Sequence, residues 1–290
     1  MNVLQSVIMG VVQGITEFFP IGSLGHMAVL KNLFGAGNSV TWFYVFMRIG
    51  IVAAIIAAYR KTILLLLIET KDMLLDLAFN FKSLLTGRRS DGDIVYRKII
   101  TNNSRKFQVL LLLSALPAIL IGCFAGRLAH MGEGGFLVPG IGFLVNGIVL
   151  LVAGMLPSGE KMPKEVPLPT GIWLGIIQGL SVFPGLSRVG SILAASGICG
   201  LKKKFAIQYS FLLLIPTLLG ECVYRLVFIG GETLSVSRFF IYLLGSLFAF
   251  AAGYMCLKQA RRLLQRVRLN FFAYYCFLAG IIAVIINFVK

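Results

Sequence analysis

The sequence predicts an all-α, polytopic membrane protein with an inverted-topology repeat, each half a re-entrant helix pair plus three transmembrane helices. Three observations indicate this fold. The 290-residue chain is 58% hydrophobic and only 13% charged, with a mean hydropathy of +0.90. Such a composition is typical of proteins with several membrane spans. Basic residues cluster between the apolar stretches, and one glycine-rich polar motif occurs twice.

The repeated motif lies near the start of the chain and again past its middle. The first copy runs from Gly10 to His26 and the second from Gly175 to Ser191. Both follow the pattern G-a-a-Q-G-a-(S/T)-x-F, where a is apolar, then Pro, then Ser three residues later. Irregular backbone at membrane depth is tolerated only where protein or a cavity surrounds it. Re-entrant helix pairs are therefore predicted over 3–34 and 170–200.

The two halves are predicted to be residues 1–156 and 170–290, joined by a polar, proline-rich linker at 157–169. Residues 62–87 are leucine-rich but carry several charges, which predicts an amphipathic helix at the membrane interface. Three spans is an odd number, so the second half should be inverted relative to the first. The predicted spans are about 40–59, 107–126, 135–156, 205–229, 239–257 and 271–289.

The net charge of +16 indicates membrane orientation. Lys and Arg concentrate after residue 59, before 107, at 201–204 and at 258–268. Cytoplasmic loops carry such an excess, so both termini are predicted to be extracytoplasmic. Attraction to anionic lipid headgroups is compatible with this charge. Nucleic-acid binding is not predicted, because the basic residues lie between spans and not on one domain face.

Four polar residues of the first motif are candidates for chemistry. Gln13 and Glu17 share a helix face. A carboxylate within an apolar stretch favours a functional role, with a structural ion pair as the alternative. Ser23 and His26 lie three residues apart, so they can meet on a turn or flank one phosphate. Histidine suits acid–base or nucleophilic work, although a hydrogen-bonded interface histidine is the simpler interpretation of His26 alone.

Arg188 dominates the second motif, since a guanidinium at membrane depth needs an anion and suits bidentate phosphate binding. The alternative is that Arg188 pairs with Glu17. The turn from Pro184 to Ser187 opens a helix whose free N–H groups can bind an anionic oxygen. The candidate substrate-binding residues are Gln13, Gly185, Ser187, Gly190 and Ser191.

Four other polar residues receive simpler interpretations. Gln178 is expected to form an inter-helix hydrogen bond. Glu221 and Arg225 are expected to pair at i,i+4. Arg48, in the first span, either reaches the site or extends to the interface.

These motifs resemble those of the undecaprenyl-diphosphatase family of bacitracin-resistance membrane phosphatases. Residues 13–26 resemble the signature (E/Q)-x-x-x-E-F-L-P-x-S-S-T-G-H, and residues 184–190 resemble P-G-x-S-R-S-G. Residues 209–216 resemble F-S-F-L-L-x-I-P, and 272–275 resemble a C-terminal element. The resemblance implies a multi-pass enzyme of the bacterial plasma membrane. It would remove the terminal phosphate of a C55 polyprenyl diphosphate, recycling the carrier lipid for peptidoglycan synthesis.

The resemblance also assigns roles to residues. Gln13 and Glu17 match the family's acidic pair, and with Mg²⁺ or Ca²⁺ dependence implied they are the candidate metal ligands. Ser23 and His26 match the proposed nucleophile and base, and Ser187 and Arg188 the phosphate site. The chain is a divergent member, because it departs from the family pattern at five positions. These departures are Gly22, Leu24, Val189 and Ile192 in place of hydroxyl residues, and Arg48 in place of a glutamine.

The leading hypothesis is therefore a phosphatase with Glu17, Ser23, His26 and Arg188 as catalytic residues. Either Ser23 attacks with His26 as base, or His26 attacks directly. Glu17 would orient His26, hold a metal or position water. The expected partners are the polyprenyl diphosphate lipid and the bilayer, with the assembly left open between monomer and homodimer. The alternative is a polyprenyl-phosphate or organic-anion transporter or flippase without hydrolysis, and the third hypothesis is a non-catalytic scaffold.

Overall fold

The computed structural model describes residues 1–35, 41–86, 89–90, 93–124, 134–157, 159–228 and 233–289, and within these ranges the chain is almost entirely α-helical. The other elements are a short 3-10 helix at Pro163–Glu165 and a two-stranded antiparallel ribbon of β1 (Arg89–Ser90) and β2 (Asp93–Ile94). The helices are α1 (Val3–Thr16), α2 (Ser23–Leu33), α3 (Thr41–Ala58), α4 (Arg60–Thr86), α5 (Asn103–Phe124), α6 (Leu137–Met155), α7 (Leu168–Leu180), α8 (Arg188–Ile198), α9 (Lys203–Phe228), α10 (Val236–Arg266) and α11 (Asn270–Val289).

Six of these helices are long and apolar enough to cross a membrane: α3, α5, α6, α9, α10 and α11. The prediction of an all-α polytopic membrane protein is therefore confirmed. Predicted boundaries at residues 40, 87, 125–126 and 229, and the connecting segments 127–133 and 230–232, lie outside the described residues.

Helix α10 differs from the sequence prediction in length. The basic run after residue 257 was expected to be a loop, but the helix continues to Arg266 and has 31 residues. At 1.5 Å per residue such a helix is about 46 Å long, more than the roughly 30 Å hydrocarbon core. Its basic end can therefore extend beyond the membrane as regular helix, and the prediction of a loop there is wrong.

The two copies of the motif each form a pair of short helices joined by a turn. Helices α1 and α2 flank residues 17–22, and α7 and α8 flank residues 181–187. Gly22 and Gly185 have φ values of +79° and +100°, which only glycine adopts without strain. The two turns touch, because a Cβ atom on Gly22 would overlap the carbonyl oxygen of Gly185.

The glycines before each turn explain how the short helices pack. A Cβ atom on Gly14 would lie 2.7 Å from the carbonyl oxygen of Ala249, so α1 packs closely against α10. A Cβ atom on Gly179 would lie 2.6 Å from Cβ of Ile121, so α7 packs in the same way against α5. Small residues four apart let helix backbones approach closely in membranes. Each half thus packs its short helix on a long helix of the other half, while the inverted orientation stays a prediction.

Candidate active site

The candidate site lies where α1, α2 and α8 end or begin around the two touching turns. The predicted polar residues of both motifs are buried there, except His26, which is partly exposed. The buried residues are Gln13, Glu17, Ser23, Gly185, Ser187, Arg188, Gly190 and Ser191.

Glu17 and Arg188 join the two motifs directly. Arg188 donates a hydrogen bond from Nη1 to Oε1 of Glu17 at 3.0 Å, and Gln13 donates from Nε2 to Oε2 at 2.6 Å. The side chains of Glu17 and Arg188 are only 1% and 3% exposed. The ion pair weighed as an alternative in the sequence is therefore present. It holds the guanidinium at the interface of the two motifs.

Two further charged residues extend this pair into a chain. Arg188 also donates from Nη2 to Oε1 of Glu221 on α9. Arg48 on α3 donates from Nε to Oε2 of the same carboxylate at 2.5 Å. Sequence reasoning named only Arg225 as the partner of Glu221 and missed Arg188 and Arg48. Arg225 does interact electrostatically with Glu221, and its guanidinium also lies 4.6 Å from the centre of the Tyr44 ring. The available signal was that Glu221 and Arg48 are charged residues within apolar spans.

His26 has partners other than the expected ones. Its Nδ1 lies 2.8 Å from the carbonyl oxygen of Gly22, and its Nε2 lies 2.8 Å from the hydroxyl of Tyr275. A carbonyl only accepts hydrogen bonds, which assigns the proton to Nδ1 and leaves Nε2 as the basic atom. The ring also stacks on Tyr275 and meets the edge of Phe143. Both ring nitrogens are thus bonded to groups other than Glu17 and Ser23.

Asn146 on α6 fastens the two turns to each other. Its Nδ2 donates to the carbonyl oxygen of Pro20 at 2.9 Å, and its Oδ1 accepts from the backbone N–H of Ser187 at 3.0 Å. Asn146 is fully buried. A buried amide with both ends bonded fixes the geometry that it connects. The sequence signal was an asparagine inside an apolar span, which the motif analysis passed over.

The start of α8 has less free hydrogen-bonding capacity than the sequence predicts. The hydroxyl of Ser187 accepts from the backbone N–H of Gly190 at 3.0 Å and caps the helix. The N–H of Ser191 donates to the carbonyl oxygen of Ser187. A Cβ atom on Gly185 would lie 2.5 Å from the backbone nitrogen of Phe143 on α6. Ser187, Gly190 and Gly185 therefore build the turn, and Arg188 carries its charge.

A small cavity of about 10 Å³, with room for about one water molecule, lies beside Arg188 and Glu221, between α5, α7, α8 and α9. Gln178 and Thr217 also line it, and Gln178 donates from Nε2 to the Thr217 hydroxyl at 3.5 Å. This contact confirms the inter-helix hydrogen bond expected for Gln178. Its Oε1 is buried and has no hydrogen-bond partner among the described residues. The cavity therefore presents a cation, a hydroxyl and an amide to a polar occupant.

The sequence matches a known protein family. The model of the family described as "Bacitracin resistance protein BacA" matches residues 6–282. The chain belongs to this family.

Relatives in the BacA family match the chain along nearly its whole length. A protein of Methanobrevibacter smithii named undecaprenyl-diphosphatase is 31% identical over 97% of this chain and 96% of its own. A protein of Oceanobacillus iheyensis with the same name is 30% identical, covering 98% and 96%. One of Methanosphaera stadtmanae, also so named, is 31% identical, covering 100% and 99%. The chain is thus similar to these relatives over nearly their whole length.

The departures from the BacA family pattern have a structural explanation. Val189 and Ile192 are both 0% exposed and belong to the hydrophobic core, and Leu24 is also buried. Gly22 adopts the left-handed conformation that begins α2. The positions where the family carries hydroxyl groups therefore contribute packing and turn geometry in this chain. The remaining polar groups of the site are those already described.

The donor set was tested for a divalent cation. The described residues include no group of three His, Cys, Asp or Glu side chains able to hold a metal. Each carboxylate oxygen of Glu17 accepts one hydrogen bond and keeps a further lone pair, and Gln13 has an amide oxygen. Mg²⁺ is commonly held by one or two carboxylates together with substrate phosphates. Gln13 and Glu17 fit an ion shared with a bound phosphate group, and do not form a complete protein cage.

Proposed function

We propose that this protein is a membrane phosphatase that hydrolyses undecaprenyl diphosphate, or a related polyprenyl diphosphate, to the monophosphate and phosphate. The observation that carries the proposal is the buried Arg188 of the second motif. Glu17 of the first motif and Glu221 on α9 hold its guanidinium. A guanidinium at this depth is costly unless it is paired or has a task. The names of the family members similar over the whole chain support the same reaction.

Arg188 supplies the charge that the transferred phosphoryl group requires. Phosphoryl transfer depends mainly on positioning and on neutralising the equatorial oxygens. The guanidinium is already fixed by Glu17, so it needs little reorganisation when the substrate arrives. We assign Glu17 the role of orienting Arg188, in addition to any role toward water or a metal.

Two nucleophiles remain open in this proposal. In one, Ser23 Oγ attacks the terminal phosphorus, His26 Nε2 takes its proton, and the bond to the bridging oxygen breaks as the polyprenyl monophosphate leaves. Water then hydrolyses the phosphoserine. In the other, His26 Nε2 attacks the terminal phosphorus, the polyprenyl monophosphate leaves, and water then hydrolyses the phosphohistidine. In both, Nε2 exchanges the Tyr275 hydroxyl for a reacting group, while the Gly22 carbonyl keeps the proton on Nδ1.

We further propose that Gln13 and Glu17 hold Mg²⁺ or Ca²⁺ together with the phosphates of the bound lipid. The ion would neutralise negative charge on the phosphates that Arg188 alone cannot balance. The diphosphate enters a cluster in which Arg48 and Arg188 are already ion-paired with Glu17 and Glu221, and Arg225 adds one further positive charge near Glu221. A cation shared with the phosphates offsets the added negative charge.

The proposed location is the bacterial plasma membrane, where the product monophosphate would serve again as the cell-wall carrier lipid. The six candidate spans support a multi-pass protein, while the relatives come from both bacteria and archaea. The homodimer is proposed as one assembly to test by mass measurement in detergent.

The test is phosphate release by the purified full-length protein from C55 and shorter polyprenyl diphosphates, with Mg²⁺, Ca²⁺ or EDTA. Arg188→Ala and His26→Ala should each lower release at least about 100-fold. Arg97→Gln, an exposed arginine paired with Asp76, is the matched control and should keep full activity. Wild-type release no higher than that of the two alanine variants, with folded protein, would contradict hydrolysis. Lipid translocation in vesicles would then favour the transporter.

A further inference from the structure

Both terminal nitrogens of the Arg188 guanidinium donate to protein carboxylates, Glu17 and Glu221. A phosphate group binds arginine through the same two-pronged geometry as a carboxylate does. A substrate phosphate that binds both terminal nitrogens therefore competes with these carboxylates for Arg188.

Glu221 is the carboxylate that can leave. Glu17 is 1% exposed and its second oxygen is bonded to Gln13, whereas the Glu221 side chain is 13% exposed. Glu221 also keeps a second cation, Arg48, when its contact to Arg188 breaks. A buried carboxylate that loses its only partner is strongly unfavourable, so the presence of this second partner decides between the two.

The surroundings of Glu221 favour the same choice. The cavity, which has room for about one water molecule, borders Arg188 and Glu221 but not Glu17. Arg225 lies one helical turn further along α9, where an i,i+4 approach to Glu221 is possible. A displaced Glu221 carboxylate would therefore stay among cations, and the space beside it is the space next to Arg188.

We propose that Glu221 holds the place of a substrate phosphate in the ligand-free protein, bridging Arg48 and Arg188 until a diphosphate displaces it. Arg48 is then a second substrate-binding arginine, and Glu221 sets how tightly an anion must bind in order to reach Arg188. This inference rests on the proposed function for the identity of the ligand. An anion must bind Arg188 better than a carboxylate does, which a diphosphate achieves more readily than a monophosphate because of its greater charge. Glu221 would recapture Arg188 after hydrolysis and promote product release.

The inference predicts an order of anion affinities among charge variants. The probes are methylenediphosphonate, a diphosphate analogue that is not hydrolysed, and inorganic phosphate, with binding measured by calorimetry on the full-length protein in detergent. Glu221→Gln should bind methylenediphosphonate at least about tenfold more tightly than wild type, because both arginines are released. Arg48→Gln should bind at least about tenfold more weakly. The charge-balanced R48Q/E221Q variant should bind more weakly than Glu221→Gln but more tightly than Arg48→Gln, because Arg188 no longer pairs with Glu221.

Glu69→Gln is the matched control, since Glu69 is also bonded to an arginine, Arg105, but on α4 and away from the site. Its affinity should stay within about twofold of wild type. Folded Glu221→Gln with wild-type or weaker affinity would overturn the proposal and make Glu221 structural. If Glu221→Gln does not fold, R48Q/E221Q decides, and affinity no higher than that of Arg48→Gln has the same meaning. Should that variant fail too, unchanged affinity in Arg48→Gln overturns the proposal.

Binding and hydrolysis are separated in this design. The affinity order can hold in a protein that releases no phosphate, which would reject the phosphatase and keep the displaceable Glu221. Release of phosphate with no affinity order would do the opposite. Inorganic phosphate distinguishes a site for any phosphate from a site for diphosphates. At a diphosphate site, Arg48→Gln should weaken the binding of methylenediphosphonate more than the binding of inorganic phosphate.

Discussion

Two arginines in this protein each hold two carboxylates from other helices, but in opposite surroundings. Arg188 binds Glu17 and Glu221 at the junction of the repeated motifs. Arg105, at the start of α5, binds Glu69 at 2.8 Å and Asp76 at 2.7 Å, both on α4. The bonding pattern is the same in both places. The helices that it joins are not.

The two arginine clusters differ in their solvent exposure and in the segments that they connect. The carboxylates around Arg105 are 14% and 16% exposed, and hydrogen bonds from Arg105 lower the pKa of both Glu69 and Asp76. That arrangement attaches α4, which is not among the candidate spans, to α5. The side chains of Arg188 and Glu17 are 3% and 1% exposed, while Glu221 is 13% exposed, and a small cavity adjoins Arg188 and Glu221. The deep burial of Arg188 and Glu17, and not the pattern of one arginine with two carboxylates, therefore distinguishes the candidate site.

The largest expected effect comes from removing each arginine. Arg188→Ala leaves two carboxylates buried without their shared partner, so it should destabilise the protein by about 3–5 kcal/mol and abolish phosphate release. Arg105→Ala should destabilise the protein much less and retain most activity, because water replaces part of the lost interaction. Thermal unfolding in detergent and phosphate release measure both.

Equal losses of stability in the two variants would remove the contrast between the arginines. Loss of activity in folded Arg105→Ala would also contradict it, by giving α4 a part in the reaction. The exposed Arg97, which approaches Asp76 at 3.5 Å, supplies the background effect of removing one surface arginine.

Much of the fold follows from the sequence because membrane spans have a strong local signal. Length, hydropathy and the absence of charge identify α6 and α11 without any tertiary knowledge. The extension of α10 to Arg266 was missed, because a basic run looks like a loop when only hydropathy is considered. Helical continuity there depends on packing of its buried face, including Leu257, Ala260 and Leu264, and hydropathy does not report it.

The site was predictable only in part. Glu17 and Arg188 are recognised because intramembrane charges in a repeated motif are rare. Glu221 was assigned to a neighbour on its own helix, since i,i+4 spacing is visible in sequence and a contact to α8 is not. Tyr275 and Asn146 lie 249 and 41 residues from their partners His26 and Ser187. Only the fold brings such residues together.

Lysine substitutions should have an intermediate effect and sharpen the comparison. Arg188→Lys keeps a charge but not the fork that reaches two carboxylates, so it should fold and yet lower kcat at least about tenfold. Arg105→Lys should leave kcat unchanged and lower the unfolding temperature by a few degrees at most. Steady-state phosphate release at saturating lipid measures kcat. Wild-type kcat in Arg188→Lys would show that a point charge is sufficient.

The smallest expected effect is that of acid on Glu69 and Asp76, the carboxylates bonded to Arg105. The pKa values of Glu69 and Asp76 are lowered in the folded protein, so the unfolded chain binds more protons as the pH falls. The stabilisation is complete above the ordinary carboxyl pKa of about 4 and is lost as the pH drops through the lowered values. The protection of α4 amides against hydrogen exchange, relative to their intrinsic exchange rates, should therefore fall below about pH 4. An E69Q/D76N variant should exchange rapidly already at neutral pH and lose this dependence. Unchanged α4 exchange in the variant would mean that apolar packing, and not Arg105, attaches α4 to α5.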